Sequence, residues 1–217
     1  MPSSIFSHQA PGLLLKIKYP RVFDGTALCL STLIPDFNIF INPFLTFDFR
    51  VFTHSLLGQL IFTIPLTIIF TFLFSRYIGP FIANIAKKQN RIYKPLRFYG
   101  LDEWDYLKKK QYKRRYFVVA SYSAFIGGLT HLLLDLPAHE YIQMFFPIVL
   151  QSPDFLLYSI IDYGTITIGP IQFEADLTVY QLIWFIETII TFVLALYLLR
   201  YIKKHNLIRE WYNQIEI

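Results

Sequence analysis

Charge is scarce in this chain. Asp, Glu, Lys and Arg supply 16% of its 217 residues, where an ordinary soluble domain carries about 25%. Ser55 to Phe74 holds no charge at all. Tyr116 to Leu134 has no ionisable group beyond tyrosines and His131, and Leu177 to Leu199 carries Glu187 alone. No Lys or Arg occurs between Tyr116 and Leu199. Cysteine is almost absent: Cys29 stands alone, which excludes an internal disulfide. There is no internal repeat and no low-complexity tract, so a single domain over residues 1–217 is expected. A serine-nucleophile motif, a glycine-rich phosphate loop and a dinucleotide fingerprint are all missing. The apolar N-terminus lacks a basic start followed by a small-residue cleavage site, and reads as a retained element instead of a signal peptide.

What is present is apolar. Hydrophobic residues make up 54% of the chain and aromatics 18%, with 22 phenylalanines. A helix needs about 20 apolar residues to cross the hydrocarbon core. The runs 55–74, 116–135 and 177–199 meet that length. Pro11–Tyr19 and Asp24–Pro35 are shorter and predict a helical hairpin or two half-helices. Tyr141–Leu150 and Phe155–Ile161 are too short to span, and Pro147 and Pro153 punctuate them. The expected fold is therefore an all-α, polytopic transmembrane bundle of about four spanning units. A helical segment over 141–161 is expected at the outer interface.

The charges that exist are sorted. Residues 75–115 hold 12 of the 20 basic residues, and Arg200, Lys203, Lys204 and Arg209 follow in the tail. The segment 136–176 carries only acidic groups: Glu140, Asp154, Asp162, Glu174 and Asp176. The positive-inside rule places the 75–115 loop and the C-terminus in the cytoplasm and 136–176 outside, in a multi-pass cell-membrane protein. Juxtamembrane basic residues next to anionic headgroups account for this loop without nucleic acid. Membrane lipids are the expected partners.

Four short polar signatures interrupt the apolar runs: Ser7-His8, Pro35-Asp36, Thr53-His54-Ser55 and Thr130-His131-x-x-x-Asp135. Histidine and aspartate are costly in lipid unless paired. Tracing the chain through the predicted topology brings His8, Asp36, His54, His131 and Asp135 to one membrane face from four segments. His131 and Asp135 are four apart and share a helix face. Mixed imidazole and carboxylate donors suit a divalent metal, zinc best. His139 and Glu140 follow in the next turn as a further ligand or a base. Thr53 and Thr130 each precede a histidine and are placed to cap helices or to orient the rings. Glu187 is a packing residue or a contact to the site, and His205 belongs to the solvated tail.

The same series, with Thr53-His54-Ser55-Leu56-Leu57-Gly58 at its centre, resembles a prokaryotic domain-of-unknown-function family of integral membrane proteins. It is more loosely similar to predicted membrane-bound metal-dependent hydrolases and to zinc-dependent phospholipases C. The resemblance implies that His8, Asp36, His54, His131 and Asp135 are metal ligands or catalytic groups. In the looser relatives a second acidic residue often follows the Pro-Asp element. Here Asn38 stands at that place, able to offer a carbonyl oxygen but no charge.

Two functions are expected from these residues. One is a metal-dependent hydrolase of a phosphoester, on a lipid or lipid-linked headgroup, with Asp36 or Glu140 as general base. The other is a non-enzymatic membrane subunit or assembly factor, in which the His/Asp cluster holds a structural ion or a hydrogen-bonded core and the outer segment packs on a partner protein. A metal transporter fits less well, because the polar residues gather at one face instead of lining a path.

Overall fold

The computed structural model describes residues 7–139, 141–168 and 171–213. Helix α1 (Gln9–Lys18) and helix α2 (Gly25–Ser31) form the expected N-terminal hairpin. Asp24 starts α2 as an N-cap, its carboxylate accepting from the Ala27 N–H at 2.8 Å. After α2 the chain bends by 43° into helical turns over Pro35–Phe44. A short helix, Arg50–Thr53, then leads to α3 (Leu56–Ala86), α4 (Arg114–Asp135), α5 (Val179–Lys204) and α6 (Leu207–Asn213). Among the described residues, three helices (α3, α4 and α5) are long and apolar enough to cross a membrane, or four spans if the bent pair counts as one. Only a narrow stripe of α5 is buried, through Thr191, Ala195, Leu198 and Ile202. A helix that is apolar all round and yet exposed is suited to lipid.

Two expectations are corrected. The helix predicted to end at Phe74 continues to Ala86, so the basic connection begins at Lys87 and Arg76 lies within α3. Proline does not stop this helix because a widened π turn precedes each one: Gln59–Thr63 before Pro65 and Phe74–Ile78 before Pro80. Widening the turn relieves the clash of the ring with the carbonyl behind it. The 141–161 segment is not an interfacial helix. Tyr141–Phe145 (β1) pairs antiparallel with Ile148–Gln151 (β2), a single helical turn covers Asp154–Leu157, and Ser159–Ile168 (β3) pairs antiparallel with Ile171–Thr178 (β4). Thr165-Ile166-Thr167-Ile168 alternates polar and β-branched apolar residues, a period of two that belongs to strands. The ladder shifts register between Asp162 and Thr165, where Gly164 takes a φ of +71° and its N–H donates to Asp162 Oδ1 at 2.7 Å.

The bundle is held by a seam and by a foot. The seam is the face of α3 that carries Gln59, Thr63, Thr67, Thr71 and Ser75. They are four residues apart and fully buried, and α3 packs on α2 and α4. The facing side of α4 is small: Ala120, Ser123, Ala124, Gly127 and Gly128. A Cβ at Gly127 would run into Ser31 and the Leu28 carbonyl, and one at Gly128 into Gln59. These glycines let the helices approach closely. At the foot, Lys110 reaches up to pair with Asp24 at 2.9 Å. Lys203 and Arg209 converge on buried Glu103 at 3.1 and 3.0 Å. The basic connection is thus tied to the hairpin and to α5 and α6, in part through the turn Leu101–Lys109.

Candidate metal centre

Each polar signature ends an element at the side of the bundle away from the basic connection. His8 immediately precedes α1. Asp36 lies in the turn Pro35–Phe37, opened by a proline whose fixed φ suits the first helical position. His54 stands at the break between Arg50–Thr53 and α3. Ser55 makes that break: its hydroxyl accepts from the Gly58 N–H at 2.9 Å and donates to the Phe52 carbonyl at 2.7 Å. His131 and Asp135 occupy the last turns of α4.

The five residues meet. His54 Nε2 lies 3.3 Å from Asp36 Oδ1, 3.4 Å from Asp135 Oδ2 and 3.4 Å from His131 Nε2. His131 Nε2 lies 3.2 Å from Asp135 Oδ2 and 3.8 Å from Asp36 Oδ1. His8 joins from the other side, its Nδ1 2.8 Å from His131 Nδ1 and its Nε2 3.7 Å from Asp135 Oδ1. Two triads of donor atoms result, His8–His131–Asp135 and Asp36–His54–His131, with His131 common to both. Donors placed 2.0–2.1 Å from a tetrahedral ion stand about 3.3–3.4 Å apart. The separations of 3.2–3.4 Å that join His54 to Asp36, Asp135 and His131, and His131 to Asp135, match that edge, so these groups could hold a metal ion.

The Thr53 hydroxyl donates to the Arg50 carbonyl at 3.2 Å and lies 3.1 Å from His54 Nδ1. His54 Nε2 faces the carboxylate oxygens of Asp36 and Asp135. Carboxylates brought this close repel unless a cation or a proton stands between them. His8 lies outside the three long apolar helices. Burial, with the neighbouring His131 second, pushes its imidazole down to about 4, which leaves it neutral at pH 7. Neutral imidazole is the form that binds metal.

The cluster is closed on all sides but one. His8, His54, His131 and Asp135 are buried, whereas a quarter of the Asp36 side chain is exposed. Beyond the five, His139 is buried with Nε2 3.5 Å from Asp135 Oδ2, as its place in the sequence suggested. Glu140, the other residue read as a base, lies outside the described residues. Thr53 contacts a ring, whereas Thr130 donates to the Gly127 carbonyl of its own helix, at 2.7 Å. Asn38 turns its amide nitrogen to the Pro35 and Asp36 carbonyls at 3.0 and 3.2 Å, so it braces the turn under Asp36. Glu187 is half-buried on α5 and His205 is exposed in the tail. One residue escaped the sequence reading. Gln59 is fully buried beneath the cluster and donates to the Thr53 carbonyl at 3.3 Å. A lone amide in the charge-free run 55–74 was the signal for it.

Neither the curated proteins nor the solved structures yield a match to this chain. A family does match, over residues 1–214, and its extent covers every signature from Ser7-His8 to the basic tail. The chain belongs to the family described as a domain of unknown function, DUF4184.

Proposed function

We propose that this protein is a membrane-bound, metal-dependent hydrolase that cleaves a phosphoester of a lipid or lipid-linked headgroup. The observation that carries the reading is the convergence of His54 Nε2 with the Asp36 and Asp135 carboxylates at 3.3 and 3.4 Å. Two carboxylates set among buried imidazoles suit a divalent cation, and the donor set favours zinc. Such an ion polarises a phosphoryl oxygen and acidifies water. Asp36 is the exposed member and faces the open side, where its carboxylate accepts a proton from the attacking water. Thr53 holds the His54 ring in register, and Asn38 stiffens the turn that presents Asp36. The basic connection 87–113 and the C-terminus lie in the cytoplasm in this reading, supported by the charge asymmetry, and the cluster meets headgroups of the outer leaflet.

One contact favours the rival reading, a membrane subunit with a structural core. The 2.8 Å approach of His8 and His131 is a direct imidazole hydrogen bond, which needs no ion. Elemental analysis of detergent-purified protein separates the two. The enzyme reading expects about one zinc per chain, lost in His131→Ala, and turnover of bis-p-nitrophenyl phosphate that stops with a chelator. Protein that carries no metal and gains no stability from added zinc would sink it.

A further inference from the structure

Along α1 runs a cavity of about 350 Å³, within the size range of small-molecule sites. Three residues of α1 line it: Gln9, Leu13 and Lys16, spaced four and three apart on one helix face. They carry it about 10 Å along the helix. Its upper end is formed by Gln9, the residue after His8, and by Leu33, three residues before Asp36. Cys29 is part of the wall, and Trp104 and Trp211 line the end near the basic connection.

The wall asks for an apolar guest. Gln9 is already engaged, donating to Thr32 Oγ1 at 2.8 Å. The Lys16 ammonium donates to the Pro20 and Phe23 carbonyls at 2.6 and 2.9 Å and sits over the Trp211 ring. Both polar groups thus already have partners in the protein, and apolar cavities take apolar ligands. In a bilayer the abundant apolar ligand is a hydrocarbon chain.

We propose that this cavity holds an acyl chain of the same lipid whose phosphorylated head reaches the His/Asp cluster. The inference rests on the hydrolase reading and extends it: the substrate is recognised at both ends, phosphate at the metal and tail along α1. A water-soluble phosphoester would leave the cavity empty.

Photo-cross-linking tests it. The full chain is placed in phosphatidylglycerol vesicles doped with phosphatidic acid that carries a diazirine midway along one acyl chain, and adducts are mapped by peptide mass spectrometry. Adducts are expected on Leu13, Cys29 and Trp104, and a diazirine diacylglycerol, which lacks the phosphate, should give them several-fold less. Leu13→Trp should reduce the cavity adducts several-fold and spare those on outward Leu60, Ile61 and Phe185, which are 55%, 61% and 57% exposed. Cys29→Phe serves where Leu13→Trp fails to fold. Adducts on outward positions alone, or cavity adducts unchanged in the filled variants, would overturn the proposal. Equal labelling by diacylglycerol would show that any chain fills the space and would break its link to the head. Zinc is measured in the same samples. Metal without cavity adducts removes the tail site and leaves the hydrolase reading standing. Cavity adducts without metal remove that reading and the substrate role built on it.

Discussion

Replacing His131 with alanine deletes the one imidazole common to both donor triads, and Asp135→Ala deletes the carboxylate that four imidazoles approach. Each change is expected to bring metal content to background and to stop phosphoester turnover. The bundle should stay folded, because apolar spans and their internal backbone hydrogen bonds hold it in lipid. His205→Ala should leave metal and activity unchanged, since that ring is exposed and lies against Tyr201 in the tail. Thr53→Val is the finer experiment. It keeps the shape and removes the hydroxyl that braces the His54 ring, so zinc affinity measured against a competing chelator should fall about 10–100-fold. An unchanged affinity would mean that the hydroxyl does not orient the ring. The five cluster residues were legible in the sequence because each is polar at the end of an apolar run. Gln59 was not, because an uncharged amide barely disturbs a count of charges.

Gly127 and Gly128 show how elements place those residues. At Gly128 an added methyl meets the end of the Gln59 side chain, which can swing aside. At Gly127 it meets the Leu28 carbonyl of α2, which cannot. Gly127→Ala should therefore destabilise the detergent-solubilised protein by about 1–3 kcal/mol, and Gly128→Ala by less. Thermal unfolding followed by circular dichroism would check the order, and the reverse order would contradict the close packing of α2 on α4. The three long helices were legible from run length. The end of α3 was not, because Arg76 and Pro80 imitate a terminus that the π turns carry the helix through. The hairpins β1–β2 and β3–β4 were hidden by apolarity: short apolar runs bounded by Pro147 and Pro153 do not separate strand from helix, and only the alternation near Thr165–Ile168 does.

At the scale of the whole molecule the charge asymmetry predicts an orientation. A Cys29→Ala background with one cysteine at Gln89 or at Ser152 tests it. In intact cells a membrane-impermeant maleimide should label the Ser152 position and not the Gln89 position. The opposite pattern would invert the protein and put the cluster on the cytoplasmic face. Gln89 is exposed in the basic connection and Ser152 follows β2 beside the cluster, where its hydroxyl donates to the His139 carbonyl at 3.0 Å. The foot should be salt-resistant, since Glu103 and Lys110 are buried away from screening ions.

The buried face of α3 is a ruler with equal divisions. Thr63, Thr67, Thr71 and Ser75 repeat every four residues, so sliding the helix by one turn lays hydroxyl on hydroxyl and changes little. Such a scale cannot by itself say where zero lies. Gln59 is the one mark of different length, and it sits in the notch that Gly128 leaves open. Gln59→Thr would make the ruler uniform. A one-turn slip then becomes nearly neutral in packing and carries His54 about 6 Å along the axis, farther than a single ion can bridge. The variant should keep its helices and lose its zinc, and cysteine pairs across α3 and α4 should cross-link in two registers where the parent shows one.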